Sequence, residues 1–417
     1  MYKNKSVIGW AFYDWANSVF VTVVIAGFFP IVFKSYWASD LPSSESTFWL
    51  GLGNALASLV VVIIAPLLGA AGDKYHLRKP MLLGLMLIGV ITTAALSQSA
   101  MGHWQMVLAL YVIASIGFMA ANVFYDALLV PLSASAQVDK VSGLGYGMGY
   151  LGGGIALAGC VYLSQQPQLL GYTDSIDAVL FCFILVALWW FVFSLPLAMW
   201  TKDGPRLQNA ENSSVFATTL RAFKMAFSNR EVRLFLIAYW IYIDGVDTII
   251  RMAVDYGMAL GFESNDLIIA LLITQFVGFP AAIVYGYIGA KVGVKTSIMA
   301  GIGVYALITL LGYSMTTVAD FYTLAVLIGL VQGGVQAMSR SFYARMVPAD
   351  KSAEYFGIYN MLGKSAAIIG PLLMGLVALI TDNHRYSILS LLVLFVLGAI
   401  LLSQVRDPRQ NTVRTGE

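Results

Sequence analysis

An all-α membrane protein of twelve transmembrane helices, arranged as two pseudo-symmetric six-helix bundles, is the fold this sequence predicts, and three observations predict it. Of 417 residues, 59% are hydrophobic and only 11% charged, too little polar material to cover a soluble surface. Apolar runs near the roughly 20 residues that cross a bilayer as a helix recur along the chain, as at 81–100, 177–200, 267–289 and 386–403. The two halves also repeat one another at a nearly constant offset. Strand-like alternation is missing, which argues against a β-barrel.

Breaks at charged and turn-forming residues place the spans near 7–33, 46–70, 80–100, 104–131, 142–164, 177–200, 234–259, 267–289, 296–316, 320–346, 356–380 and 386–403. The first follows Lys3 and Lys5 without a basic region, short apolar core and small-residue cleavage site, so it reads as a signal anchor. Residues 1–200 are expected to form the N-terminal bundle, 201–233 a cytoplasmic linker with "RLQNAENSS" as its flexible part, 234–403 the C-terminal bundle and 404–417 a tail. Twenty of the 24 Lys and Arg residues fall on one side of this twelve-span layout or enter from it. Lys34 and Arg385 fall in the opposite loops, which are otherwise acidic. Basic loops stay cytoplasmic, so both termini are expected in the cytoplasm. Short loops without extensions favour a bacterial plasma membrane. Cys160 and Cys182 lie inside spans, against a disulfide framework.

The repeat is legible in short strings. "GAAGDKYHLRK" at 69–79 matches "GYIGAKVGVK" at 286–295 in glycine and basic positions 217 residues on, the offset that also separates Pro131 from Pro348. "YDWANS" pairs with "YIDGVDT" when Asp14 is set on Asp244 and Asn17 on Asp247. A duplicated six-helix unit is typical of secondary transporters.

Ionisable residues at membrane depth fall on every third span: Asp14 in span one, Asp126 beside Tyr125 in span four, a cluster in span seven and Arg340 in span ten. A charge facing lipid is costly, so these groups should face one central cavity or one another. Lys364 in span eleven is the exception, near enough to the cytoplasmic end for its stem to snorkel. In span seven, Asp244, Asp247, Arg251 and Asp255 share one helical stripe, with Thr248 between them, and Arg251 stands four residues from both Asp247 and Asp255. Span one carries a smaller polar face of Asp14, Asn17 and Ser18. The plain alternative is an ion-pair ladder in span seven that only stabilises packing. It leaves the matching face of span one unexplained. Asp14 and Asp244 are expected to face each other across the halves, and Asp126, with no basic residue in its own span, is the candidate proton carrier.

On these residues a resemblance rests. "GAAGDKYHLRK" resembles the signature loop between the second and third helices of the major facilitator superfamily. "YDWANSVF", "YIDGVDTII", "VQGGVQAMSRSFYARMVP" and "GKSAAIIGP" look like its vacuole-effluxer branch, typified by an autophagy-linked vacuolar amino-acid exporter. The resemblance implies alternating access, two bundles rocking about a midplane site. It also implies a gate of Gly69, Asp73, Arg78 and Lys79, in which Asp73 caps a neighbouring helix end and pairs with basic partners. Two departures stand out: Ala290 replaces the repeat's counterpart of Asp73, and Asp126 stands where a neutral amide is commoner in the branch. The first puts symmetric gating in question, the second the substrate or coupling ion.

Other patterns lead nowhere. Gly147, Gly149 and Gly152 spell G-x-G-x-x-G but follow no strand; with Gly145 and Gly153 they mark close helix packing instead. His76, His103 and His384 lack metal-ligand spacing, and no nucleophile elbow or P-loop is present, so no metal, cofactor, enzymatic activity or nucleic-acid partner is expected. The leading expectation is a monomeric secondary transporter in the bilayer for a small polar metabolite, an amino acid or related zwitterion, with protons a candidate coupling ion. Its candidate site is Asp14, Asn17, Ser18, Tyr125, Asp126, Asp244, Asp247, Thr248, Arg251 and Arg340. Arg251 is set to receive a substrate carboxylate, with Arg340 as its competitor. The alternatives are a proton-driven exporter of cationic compounds, favoured by the acidic excess in the spans, and a membrane sensor that has kept a transporter fold.

Overall fold

The computed structural model describes residues 4–133, 137–203, 214–259, 261–366, 369–381 and 384–406. Most of "RLQNAENSS", the tail from 407 and the Asp255 side chain lie outside them. Among the described residues the chain is almost wholly helical, without strands. The described residues form twelve spans in two six-helix bundles.

Span one is one continuous helix, Lys5–Trp37. It opens on Asn4, whose side chain accepts the Ser6 amide, and widens to π-helical geometry over Phe20–Phe28 and Phe33–Trp37, a local unwinding frequent near functional sites. Span two, Ser43–Tyr75, stops at His76, which takes the left-handed conformation at φ 57°. Spans three to six are Arg78–Leu96, Trp104–Leu132, Val138–Gln165 and Ser175–Trp200. Spans seven to ten are Arg230–Ala259, Ser264–Val292, Val294–Ser314 and Val318–Ala344. Span eleven is described over Ser352–Ala366 and Ile369–Thr381, and span twelve comes as His384–Leu389 and Leu391–Ser403. Among the described residues, ten helices are long and apolar enough by themselves to cross a membrane. Span seven, laden with charge, and span eleven, described in part, are the other two.

The linker differs from expectation in carrying a helix of its own, Val215–Ser228, capped by the Ser214 side chain. Its apolar residues recur at helical spacing, but the stretch is too short and too polar to read as a span.

Packing repeats with the sequence. In the first bundle span one lies on spans five and six, span four on spans two and three, and span three on span six. In the second, span seven lies on spans eleven and twelve, span ten on spans eight and nine, and span nine on span twelve. Contacts between bundles obey the same rule: span five meets spans eight and ten, while span eleven meets spans two and four.

Glycine makes the closest of these contacts possible. A Cβ on Gly69 would fall inside the Ala353 carbonyl group, and one on Gly286, its repeat mate, would stand 2.9 Å from the Asp139 carbonyl oxygen. Both seams therefore close backbone to backbone at the end of the molecule that carries the termini.

Candidate functional site

Arg340 organises the terminus-bearing end. It sits near the end of span ten, only 2% exposed, and reaches across the seam into the first bundle. Its Nη1 donates to Asp126 Oδ1 at 3.2 Å, and its Nη2 stands 3.8 Å from Asp14 Oδ2. Its Nε donates to Ser142 Oγ and its Nη2 to the Ser142 carbonyl, both at 3.0 Å. The guanidinium carbon lies 4.4 Å from the Tyr146 ring centre, 4.8 Å from Trp10 and 5.3 Å from Tyr125. A planar fork with five donors and a polarisable face suits such a place, and a lysine could not fill it.

Its two carboxylates are held from several sides. Tyr125 donates its hydroxyl to Asp14 Oδ2 at 2.9 Å, and Trp10 stacks on Tyr125 at 4.4 Å while donating to its carbonyl. Ser18 reaches Asp14 Oδ1 at 3.4 Å. On Asp126 the second oxygen accepts from Asn360 of span eleven at 2.9 Å. Buried charges persist where they are paired and hydrogen-bonded, as both are here. Asn17 joins span one to span four through Asn122 at 2.8 Å, within the first bundle.

Asp126 has no basic residue in its own span, but the other bundle supplies Arg340 as its partner. Asp14 and Asp244 do not meet either. Asp244 is fully buried inside the second bundle, where its Oδ1 accepts the Gly370 amide at 3.0 Å and the Thr248 hydroxyl at 3.4 Å. It thereby ties span seven to span eleven within the second bundle. Span seven's shared stripe therefore divides by environment: Asp244 is buried, Asp247 half-buried and Arg251 exposed. No ion pair between Asp247 and Arg251 occurs among the described residues, and the Arg251–Asp255 half of the expected ladder lies outside them.

Lys364 is a further correction. It lies twelve residues into span eleven, about 18 Å along the helix, four residues beyond Asn360 and on the same face. It is half-buried there, with Asp247, Arg251 and Asp126 the charged groups within its electrostatic reach. Arg251 also lies within electrostatic reach of Tyr111 in span four. Asp247, Arg251 and Lys364 form a charged layer further from the terminus-bearing end than Arg340.

Two more bridges close that end. Asp73 pairs with Arg78 at 2.5 Å, and its other oxygen accepts the Glu354 amide at 2.8 Å, in the first turn of span eleven. Arg78 continues across to the Asp350 carbonyl at 2.8 Å. Arg345 meets Asp139 at 2.6 Å, joining spans ten and five. Lys79 departs from the gate reading: its Nζ donates to the Ala198 and Thr201 carbonyls, capping span six within its own bundle.

Sequence reasoning missed Asn360, Ser142, Tyr146, Asn122, Asp139 and Arg345. Asp139 and Arg345 were readable as charges near span ends, but no spacing ties one to the other. An apolar cavity of about 60 Å³ inside the second bundle, lined by Ile249, Met252, Phe321 and Met374, holds none of these charges and is too small for a metabolite.

Comparison with known proteins agrees with this architecture. A family model described as "Vacuole effluxer Atg22 like" matches residues 43–412. An uncharacterised MFS-type transporter of Bacillus subtilis, YxiO, is 36% identical over 98% of this chain and 97% of its own. Autophagy-related protein 22 of Eremothecium gossypii is 21% identical over 99% of this chain and 93% of its own. Among solved structures, the human organic anion transporter MFSD10 superposes with a TM-score of 0.74 at 16% identity, covering 95% of this chain and 98% of that one. The proton:xylose symporter XylE does so with 0.70 at 13%, covering 97% and 95%. The solved structures share the fold, and the family model over most of the chain together with the 36% identical relative shows that the chain belongs to the Atg22-like vacuole effluxer family, a branch of the major facilitator transporters.

Proposed function

We propose that this protein is a secondary transporter that carries an amino acid or related zwitterion by alternating access. The observation that carries the reading is Arg340, a residue of the second bundle that holds Asp126 and approaches Asp14 of the first. Alternating access needs contacts between bundles that form in one state and break in the other. This network, with Asp73–Glu354 and Arg345–Asp139 beside it, is such a contact, and it closes the side that carries the termini. On the basic-loop argument that side is the cytoplasm of a bacterial plasma membrane. Protons are the coupling ion that fits, since neutralising Asp126 would loosen its hold on Arg340.

The substrate then meets the layer of Asp247, Arg251 and Lys364. An amine can be taken by the first and a carboxylate by the other two, Arg251 as a fork and Lys364 as a point charge. A cation exporter fits less well, because Arg340 already neutralises part of the acidic excess and Lys364 brings a positive charge inward. Purified protein in liposomes, loaded with single labelled amino acids and given a pH gradient of either sign, tests the reading. Movement of at least one amino acid that responds to the gradient is expected. Movement of organic cations alone would favour the alternative, and movement of neither would remove the amino-acid assignment.

A further inference from the structure

The linker helix Val215–Ser228 has two faces. Thr219, Ala222 and Ala226 are buried and fall within about 60° of one another at about 100° per residue. They seat the helix against span two of the first bundle, and against spans seven and eleven of the second. Small side chains there bring it close to its neighbours. About 100° round the helix runs a second stripe, Phe216, Leu220, Phe223 and Phe227. Phe216 is 71% exposed and Leu220 63%, and Phe223 stacks on Phe227 at 6.2 Å. Lys224 borders this stripe on its far side and is exposed.

Position along the chain fixes what the stripe can meet. The helix ends at Ser228, and Asn229, extended at ψ 117°, turns the chain. Its side chain accepts the Glu231 and Val232 amides at 3.0 and 3.3 Å and so starts span seven. The apolar part of that span begins at Leu234, six residues after Ser228, or about 9 Å at helical rise. The linker helix is thereby held at the depth of the membrane interface. From 214 to 233 there are four basic residues and one acidic residue. An aromatic and leucine stripe edged with basic residues is the pattern of a helix lying in the headgroup layer.

We propose that the linker helix docks on an anionic bilayer leaflet, its Phe216–Leu220–Phe223–Phe227 stripe among the acyl chains and Lys224 at the lipid phosphates. Its small-residue face simultaneously straps span two to span eleven. Lipid composition thus acts directly on a seam between the bundles.

The test uses the full-length protein with one cysteine introduced at a time as Phe216→Cys, Leu220→Cys or Met225→Cys, the last on the opposite side of the stripe. Native Cys160 and Cys182 are buried. Each variant carries an environment-sensitive fluorophore and is reconstituted in phosphatidylcholine vesicles, with or without phosphatidylglycerol. Labels at 216 and 220 should be quenched by spin-labelled acyl chains, the label at 225 by aqueous iodide. Phosphatidylglycerol should increase the lipid quenching, and Lys224→Gln should lower the docked-to-undocked ratio about fivefold, the worth of one basic residue near an anionic surface. Iodide access at 216 and 220 equal to that at 225 would overturn the proposal. So would protection from both quenchers, the sign of a protein partner or second copy, and so would lipid quenching indifferent to phosphatidylglycerol.

Discussion

Replacing Arg340 by Gln removes the cation shared by Asp14 and Asp126. The guanidinium makes an ion pair at 3.2 Å, two hydrogen bonds at 3.0 Å to Ser142 and contacts with three aromatic rings, all in a site where it is 2% exposed. Breaking a buried pair by deleting one partner costs about 3–5 kcal/mol, because the remaining charge keeps its desolvation cost. The protein has a way out short of unfolding, which is to part the bundles and admit water to both carboxylates. With about 1.4 kcal/mol per tenfold, the balance between closed and open terminus-bearing ends should shift roughly 10²- to 4 × 10³-fold toward open. Spin labels at Leu77 and Val292, exposed positions in different bundles at that end, report the change by pulsed distance measurement. A longer distance in Arg340→Gln is expected. Arg340→Lys should show a smaller but definite lengthening, since one ammonium cannot serve Ser142 twice along with Asp126 and Asp14. An unchanged distance distribution together with an unchanged Tm in Arg340→Gln would refute the reasoning.

Gly69→Val forces side-chain atoms into the Ala353 carbonyl and should cost at least about 1–3 kcal/mol in the closed state, read as increased cysteine accessibility at the terminus-bearing end and slower transport. Asp244→Asn retains an oxygen for the Gly370 amide and should lower stability by less than about 1 kcal/mol, whereas Asp244→Ala strands that amide and should cost about 1–3 kcal/mol, both read by thermal melting. Lys79→Met removes two carbonyl partners from the end of span six and should cost about 1–3 kcal/mol in stability without changing which side is accessible, and Lys295→Met at Ser403 and Val405 should behave alike, more mildly because it is more exposed.

The fold was legible because its signals are local. Apolar runs, basic loops and a repeated string each lie within a few dozen residues, and bilayer thickness converts them directly into spans. The site was half legible for the same reason. Depth and type of charge pick out Asp14, Asp126 and Arg340 without any structure, since each is expensive where it lies. What they pair with depends on the contact between bundles, and no periodicity encodes it: Asp126 and Arg340 are joined across 214 residues and Asp126 and Asn360 across 234. Span seven misled for a related reason. Its charges share a stripe when projected on an ideal helix, but span eleven packs against Asp244, whose carboxylate accepts the Gly370 amide, and that takes it out of the set. Ser142, Tyr146 and Asn360 carry no formal charge, so cost at membrane depth gave them no signal.

The departure at Ala290 bears on how a duplicated gate can use two chemistries. In the first half, Gly69 permits the close approach and Asp73, four residues on, caps the first turn of span eleven at the Glu354 amide. In the second half Gly286 permits the same approach to span five, but Ala290 offers that span's first turn no carboxylate. The acid is supplied instead by Asp139 within the turn, favourably placed at a helix N-terminus, and Arg345 of span ten pairs with it. The symmetry of the seam is kept while the charge moves from one helix to its neighbour. Ala290→Asp should therefore fail as a simple restoration: its carboxylate would arrive beside Asp139, and like charges in a site of low dielectric repel. A fall in Tm and a widened Leu77–Val292 distance are expected for Ala290→Asp. Combining it with Asp139→Ala removes the clash and leaves the introduced carboxylate to cap span five as Asp73 caps span eleven, so Tm and distance should both return toward the parent values. If Ala290→Asp is harmless while Asp139 remains, or if the double change is worse than the single, the two halves do not gate by equivalent seams.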